Sequence, residues 1–506
     1  MKTLRTYILC LFILTITFAT ADVALPKIIG DGMILQRGSP APIWGWADTG
    51  EEITVEFAGQ TKKALPGKNG KWMVKLDPLQ ASMEAITMTI RGKKSVQINN
   101  ILVGEVWLAS GQSNMEWSLG VIVPEELAYA QSQKDNPYVR AFHVEQHLST
   151  GVPMDDTIGR WKNCEQIVSV PHQSISAVGL FFALKLQKEL GIPIAIIDAN
   201  WGGQRIEPFI PDEGYAAIGV KPNKRPSNLT PQKLASRLTQ FKTVIDDVAD
   251  AGKKGLRMPL TLPDYNYGWA ENGIYNAMIA PLVPYALKGA IWYQGESNRH
   301  SFDYFNKLQG LSAGWSKVFN VKDIPLYQVQ IAPYFYNRQY KADTTLCDRI
   351  WLAQYEGAEK IPGMGIVPCH DTNININDIH PRNKRTVGER LAAQALKKQY
   401  GKDVTITGPS FSSAKREGNK VIVSFKDIDK GLGTTDEKAP SWFQVSADNK
   451  VFVDAIATLN GNEVEVTASN SISPNFIRMG WADIAIPNLT DKNGWPVYAF
   501  GSKPAK

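Results

Sequence analysis

The run WLASGQSNMEW, residues 107–117, ends an apolar stretch on a small polar turn. A strand that stops there delivers Ser113 to the start of the following helix, with Gly111 allowing tight backbone geometry. In that place a serine hydroxyl can face a cleft, and the serine N–H can point at a developing oxyanion. The turn alone leaves another reading equally open, a serine that caps a helix. An α/β-hydrolase elbow does not fit, because it needs glycine two places after the serine and this chain has Met115.

A serine becomes nucleophilic at neutral pH only beside a base. The chain has six histidines, few enough to weigh singly. His143 and His147 stand four apart, but VRAFHVEQHLST alternates like a strand, which argues against a metal pair. His172 and His300 read as loop residues, and His370 as a structural residue beside Asp371. His380 differs. In NDIHPRNKR it stands directly before Pro381, which holds the preceding residue extended and fixes where the imidazole points. Asp378, two residues back, can set the tautomer and stabilise the imidazolium. A lone Asp-x-His is more commonly structural, so the pattern is weak by itself.

Two more polar turns follow apolar runs. DANWGGQRIE offers the N–H groups of Gly202 and Gly203, and WYQGESN places Gln294, Gly295, Glu296 and Asn298 at a strand end. Each alone reads as an ordinary turn. Four such turns suit one shared cleft.

The elements that must carry these turns are legible as patterns. ILVGEVWLA, IPIAIIDAN, LKGAIWYQG and IPLYQVQIA are continuous apolar runs, suited to parallel strands buried on both faces. Between them lie the helical patterns SAVGLFFALKLQKEL and TPQKLASRLTQFKTVIDDVADAGKKG. The last helix is expected over PRNKRTVGERLAAQALKKQY, with Pro381 near its first position. This alternation predicts a doubly wound parallel α/β sheet over residues 100–403, with ligands outside the C-terminal strand ends. Residues 22–99 read as short alternating strands between turns, as in Ile53-Val55-Phe57, and predict an N-terminal β-sandwich. Residues 404–506 turn β-rich again, with a hairpin signal at Asn460-Gly461.

The bulk numbers agree with several domains, since 506 residues exceed what one core organises. Lys2 and Arg5, the apolar run Tyr7 to Phe18 and the small residues Ala19-Thr20-Ala21 read as a signal peptide cut after Ala21. A secreted or periplasmic protein follows from that reading, without a membrane span. The net charge of +6 falls to +4 when Lys2 and Arg5 leave, too mild and dispersed to argue for nucleic acid. Cys164, Cys347 and Cys369 then remain, spaced wrongly for zinc, with room for one disulfide in an oxidising compartment.

Taken together and in order, GQSNMEW, WGG, YQGESN and DIHPRNKRTVGERLA resemble the SGNH hydrolase superfamily and, within it, the sialate O-acetylesterases. The resemblance also takes in MILQRGSPAPIWGWADTGEEITVEF near the start and FIRMGWADIAIPNLTDKNGWPVYAF near the end. It implies Ser113 as nucleophile and His380 as general base, with an oxyanion hole of the Ser113 N–H, one glycine of the Gly202-Gly203 turn and a third donor. Two departures leave roles open. The last block is Asp-x-His rather than Asp-x-x-His, so Asp378 is favoured as the orienting acid with Asp371 in reserve. The third block reads Gly295-Glu296-Ser297-Asn298 in place of Gly-x-Asn-Asp, leaving Gln294, Asn298 or a backbone group as the third donor. The implied reaction is acetyl transfer through an acetyl-enzyme, without cofactor or metal. Its implied substrate is an O-acetylated sialic acid or sialoglycan. Arg205 and Arg299 are the candidates for the substrate carboxylate, and Trp117 for a sugar ring. Two rivals remain: an acetyl esterase on xylan or another plant polysaccharide, and an inert carbohydrate-binding protein. Nothing in the sequence sets the oligomeric state.

Overall fold

The computed structural model describes residues 23–148, 152–223, 271–336, 346–373, 375–468 and 472–506. The expected leader at 1–21 and the expected helix at 230–255 lie outside the described residues.

The sheet at the centre runs in the order Met364–Val367, Leu326–Val329, Gly289–Tyr293, Ser95–Gly111, Ile194–Asn200, Val139–Val144, Gly159–Asn163. All neighbouring pairs are parallel except the last, where Gly159–Asn163 runs antiparallel at the edge. The sheet is therefore mixed rather than purely parallel. Every residue of Ile194–Asn200 and Gly289–Tyr293 is buried. Alternation along each strand divides these side chains between two cores. Trp107, Ala109, Ile196 and Ile291 pack with the Ala177–Leu190 and Arg385–Tyr400 helices. Leu108, Ile197 and Trp292 pack with the Tyr304–Val318 and Asp348–Lys360 helices on the other face. The Ala177–Leu190 helix starts where Ser176 Oγ accepts the Gly179 N–H and stops at left-handed Gly191.

One strand links this sheet to the N-terminal β region. Ser95–Gly111 is 17 residues long and pairs antiparallel with Ser82–Arg91 over its first part. Its second part joins the parallel sheet, with Gly111 level with both Tyr293 and Asn200. Its burial changes from alternating to continuous at Ile101, as one open face gives way to two covered ones. The strand thus continues past residue 100, where the sequence pattern shifts, although Asn100 takes φ 58° and the pairing with Ser82–Arg91 is irregular there. The remaining N-terminal strands pair as Ala41–Trp46 with Lys71–Leu76, and as Ile53–Phe57 with Gln60–Ala64 and Ser82–Arg91.

The C-terminal residues form a seven-stranded sheet from Ser410–Glu417 to Phe500–Pro504, antiparallel throughout. It curls toward a barrel: the Arg416 N–H donates to the Lys506 carbonyl at 2.9 Å, and the Lys506 N–H to the Ala414 carbonyl at 3.1 Å. The Asn460-Gly461 hairpin is present between Val453–Asn460 and Glu463–Ala468, with Gly461 at φ 60°.

Two expectations are corrected. The last helix begins at Arg385, four residues after Pro381, because Glu126 Oε2 accepts the Lys384 and Arg385 N–H groups and Asn383 Oδ1 the Thr386 N–H. Residues 381–384 are thereby free to shape a loop. Cys164, Cys347 and Cys369 are all buried as free thiols, so no disulfide forms among them. Among the described residues no helix is long and apolar enough to cross a membrane.

Candidate active site

Because Gly111, Asn200 and Tyr293 end three adjacent parallel strands at one level, the turns that follow them emerge together. At Gly111 the chain needs glycine. Its φ is 144°, and a Cβ there would stand 2.3 Å from the Tyr293 carbonyl oxygen. That close approach lets the Gln112 N–H donate to the same carbonyl at 3.0 Å before the chain turns into the Ser113–Glu116 helix.

Gln112 is the residue before this short helix, and no side chain caps it. Ser113 Oγ instead lies 2.9 Å from His380 Nε2, across 267 residues of sequence. The helix-capping reading of the serine is set aside by that contact. Its N–H sits in the first turn, where a helix supplies no acceptor of its own.

The imidazole is held from three sides. The Trp117 ring stacks on it at 4.0 Å between centroids and 20° between planes. Asp378 Oδ1 lies 3.4 Å from Nδ1 and also accepts the His380 backbone N–H at 3.0 Å. Asn114 Nδ2 donates to the Ile379 carbonyl at 3.2 Å, fastening the loop beneath the ring. Burial lowers the His380 pKa below the ordinary histidine value; the Lys384 charge acts in the same direction and Asp378 against it. A neutral imidazole at neutral pH is the form a general base requires.

Asp371, the reserve acid, is engaged elsewhere. It receives both Arg390 amino groups at 2.6–2.7 Å, and that hydrogen-bonded guanidinium holds it below its usual range despite burial. Asp378 is the carboxylate beside His380.

The cleft in front of this pair has a volume of about 490 Å³. Ser113, His380, Trp117, Gly202 and Gly203 line it, as does Arg299. Arg299 Nη1 donates to the Glu296 carbonyl at 3.3 Å, and its guanidinium lies over the Tyr336 ring. Arg205 is not among the lining residues. Trp117 spends one ring face on His380, so it serves the imidazole first and a sugar only with what remains.

The third block of the sequence turns inward. Gln294 and Asn298 are both fully buried. Gln294 Nε2 donates to Gln112 Oε1 and Asn298 Oδ1, and Asn298 Nδ2 to Glu207 Oε2 and Ser301 Oγ. Their donors are thus committed inside the protein, and neither residue lines the cleft. The left-handed Gly295, at φ 155°, sets this direction: a Cβ there would be 2.6 Å from Ile331 Cγ2.

Three contributors were not picked out from the sequence. Gln112 lines the cleft, and its Oε1 accepts from Gln294 Nε2 and the Gly295 and Ser297 N–H groups. With the oxygen held by three donors, the NH2 end is what the amide has left to offer the cleft. Glu116 carries a carboxylate that accepts the Gly202 N–H, and burial raises its pKa. Lys384 donates from Nζ to Asn114 Oδ1 at 2.7 Å. The position directly before the serine was the available signal for Gln112; Lys384 gave none, since a lysine in PRNKR reads as solvated charge.

Comparison with known proteins places the chain. The family model for carbohydrate esterases described as sialic acid-specific acetylesterase matches residues 264–397. The sialate O-acetylesterase of Rattus norvegicus is 29% identical over 426 residues, covering 75% of this chain and 74% of that protein. The Homo sapiens sialate O-acetylesterase is 28% identical over 421 residues, covering 75% and 72%. The chain is thus similar to the sialate O-acetylesterases over three quarters of its length, at 28–29% identity. Like its relatives it is a carboxylic ester hydrolase. A solved structure, described as a novel carbohydrate acetylesterase from Xanthomonas citri, is 27% identical and superposes with a TM-score of 0.79 over 96% of this chain and 100% of that one. The segment matched by the family model holds Glu296, Asp378, His380 and Lys384, whereas Ser113 and the Gly202-Gly203 turn lie outside it. The fold joins the two halves by the parallel pairing of Ser95–Gly111 with both neighbours.

Proposed function

We propose that the protein is a serine esterase that removes O-acetyl groups from sialic acids through an acetyl-enzyme. The observation that carries this is the 2.9 Å contact of His380 Nε2 with Ser113 Oγ in an open cleft. The Ser113 oxygen attacks the acetyl carbonyl carbon while His380 Nε2 takes its proton. As the tetrahedral intermediate collapses, the sugar oxygen departs and receives that proton. Water then attacks the acetyl-serine with His380 again as base, acetate leaves, and Ser113 regains its proton. Asp378 keeps the other ring nitrogen protonated and turned toward the loop.

The negative oxygen of each intermediate is held by the Ser113 N–H, a glycine N–H of the 202–203 turn and the Gln112 amide. Gln112 replaces Gln294 and Asn298 in this role, because their donors are spent on internal partners. Gly202 offers its N–H only when Glu116 releases it, and the raised Glu116 pKa favours the neutral acid, a weaker acceptor. Arg299 at the cleft supplies the cation for the substrate carboxylate. Residues 1–21 are read as a cleavable leader, which makes the enzyme secreted or periplasmic. The fold is read as SGNH-hydrolase-like, on the order of the four blocks and the strand ends that carry them.

A second reading keeps the chemistry and changes the sugar to xylan or another plant polysaccharide. It is favoured by Arg299 being engaged by a carbonyl and a ring. Acetate release from O-acetylated sialic acid and from acetylated xylan, measured side by side with wild type and Ser113→Ala, separates the readings. Release from the sialic acid, lost in the variant, is expected. Release from xylan alone contradicts the sialate reading, and no turnover of either or of an activated acetate ester contradicts both.

A further inference from the structure

Lys384 is a buried cation with an unusual setting. Its residue is fully buried, its Nζ donates to Asn114 Oδ1, and among the described residues no carboxylate stands within ion-pair distance of it. The rings of Trp117 and Tyr293 lie 5.7 and 5.5 Å from the ammonium. Burying a lysine without a paired carboxylate is costly, so a lysine kept there implies a use for the charge.

The neighbours show what that use is. Asn114 follows Ser113 in sequence, and its amide joins three elements: it accepts from Lys384 and donates to Glu296 Oε1 at 2.7 Å and to the Ile379 carbonyl. The Trp117 ring that Lys384 approaches is the one that stacks on His380. The charge is therefore one aromatic ring removed from the imidazole, and Lys384 is not among the residues lining the cleft.

We infer that Lys384 is a positioning residue: its buried charge tunes His380 as a base, and its bond to Asn114 ties the base loop to the serine helix. The inference rests on the serine–histidine reading above.

The charged groups facing the pair come from every side. Asp378 faces His380 from its own loop, with Arg382 Nε 3.7 Å from its other oxygen. Glu126, from the Pro124–Gln131 helix, accepts the Lys384 backbone N–H. Glu296 and Cys369 bear on the ammonium from the turns after two strands, and burial brings the Lys384 pKa to about 8, still largely charged at neutral pH. A fixed positive charge disfavours imidazolium, so it extends the pH range over which His380 is neutral toward acid.

The test is the acidic limb of kcat/KM against pH, for acetate release from an activated acetate ester. Lys384→Gln keeps a donor for Asn114 and removes the charge; its limb is expected to move up by about half a pH unit to one unit. Lys384→Met should move it likewise, and Lys384→Arg should leave it in place. A uniform fall in kcat at every pH with an unmoved limb is the mark of a merely structural residue and overturns the inference. If the neutral variants do not fold, Lys384→Arg decides: an unmoved limb supports the inference and an upward move overturns it. Ser113→Ala, run in parallel, keeps the two claims apart. Its loss of turnover with an unmoved Lys384→Gln limb fails this inference alone, whereas turnover by Ser113→Ala fails the serine reading and the inference together.

Discussion

Ser113→Ala is expected to lower kcat/KM for acetate release by roughly 10⁴-fold or more, leaving only what binding and the oxyanion donors achieve without a nucleophile. The loss should appear in kcat, because the hydroxyl contacts the base and not the sugar. The fold should be indifferent to it. Ser113 Oγ bonds His380 and caps no helix, and the neighbouring Met115 and Asn114 keep their buried places. Thermal unfolding of the variant should therefore match wild type within about 1 kcal/mol. A kcat loss together with a large loss of stability contradicts this separation of roles.

His380→Ala is expected to be nearly as damaging, again by roughly 10⁴-fold, since a serine without its base is a poor nucleophile at neutral pH. Serine and base act as a unit, so the double variant should be no worse than either single one. Multiplying effects contradict a shared mechanism. Asp378→Asn should cost less, roughly 10²-fold, because the carboxylate is more than a quarter exposed and 3.4 Å from the ring. Trp117 and the Asn114 amide hold the loop and ring even when Asp378 changes. Kinetics of the three single variants and the double variant on one activated acetate ester check all of this.

The backbone that carries the site was the legible part. Continuous apolar runs identified the strands ending at Gly111, Asn200 and Tyr293, because a strand covered on both faces has no polar positions to spare. His380 was legible because Pro381 constrains it. The directions of side chains within turns were not. Gln294 and Asn298 follow a strand as Ser113 does, yet the left-handed Gly295 sends them inward to Glu207, Ser301 and Gln112. Sequence order carries no record of that choice. Lys384 was hidden for a different reason. Composition treats a lysine as solvated, and only tertiary packing of the Pro124–Gln131 helix and the Trp117 ring over it makes it buried. The start of the last helix was misplaced for the same cause, since the Glu126 carboxylate that receives its first N–H groups comes from 258 residues away. The long strand entering from the N-terminal β region was divided at residue 100 because its burial pattern changes there, whereas the strand itself continues through an irregularity at Asn100.

The most direct test is to treat the wild-type protein and His380→Ala with an activated organophosphonate and map the adduct by mass spectrometry. One adduct per chain, on Ser113, formed far more slowly without His380, is the predicted result. Labelling of another residue with loss of acetate release, or full esterase activity with Ser113 unlabelled, would contradict it.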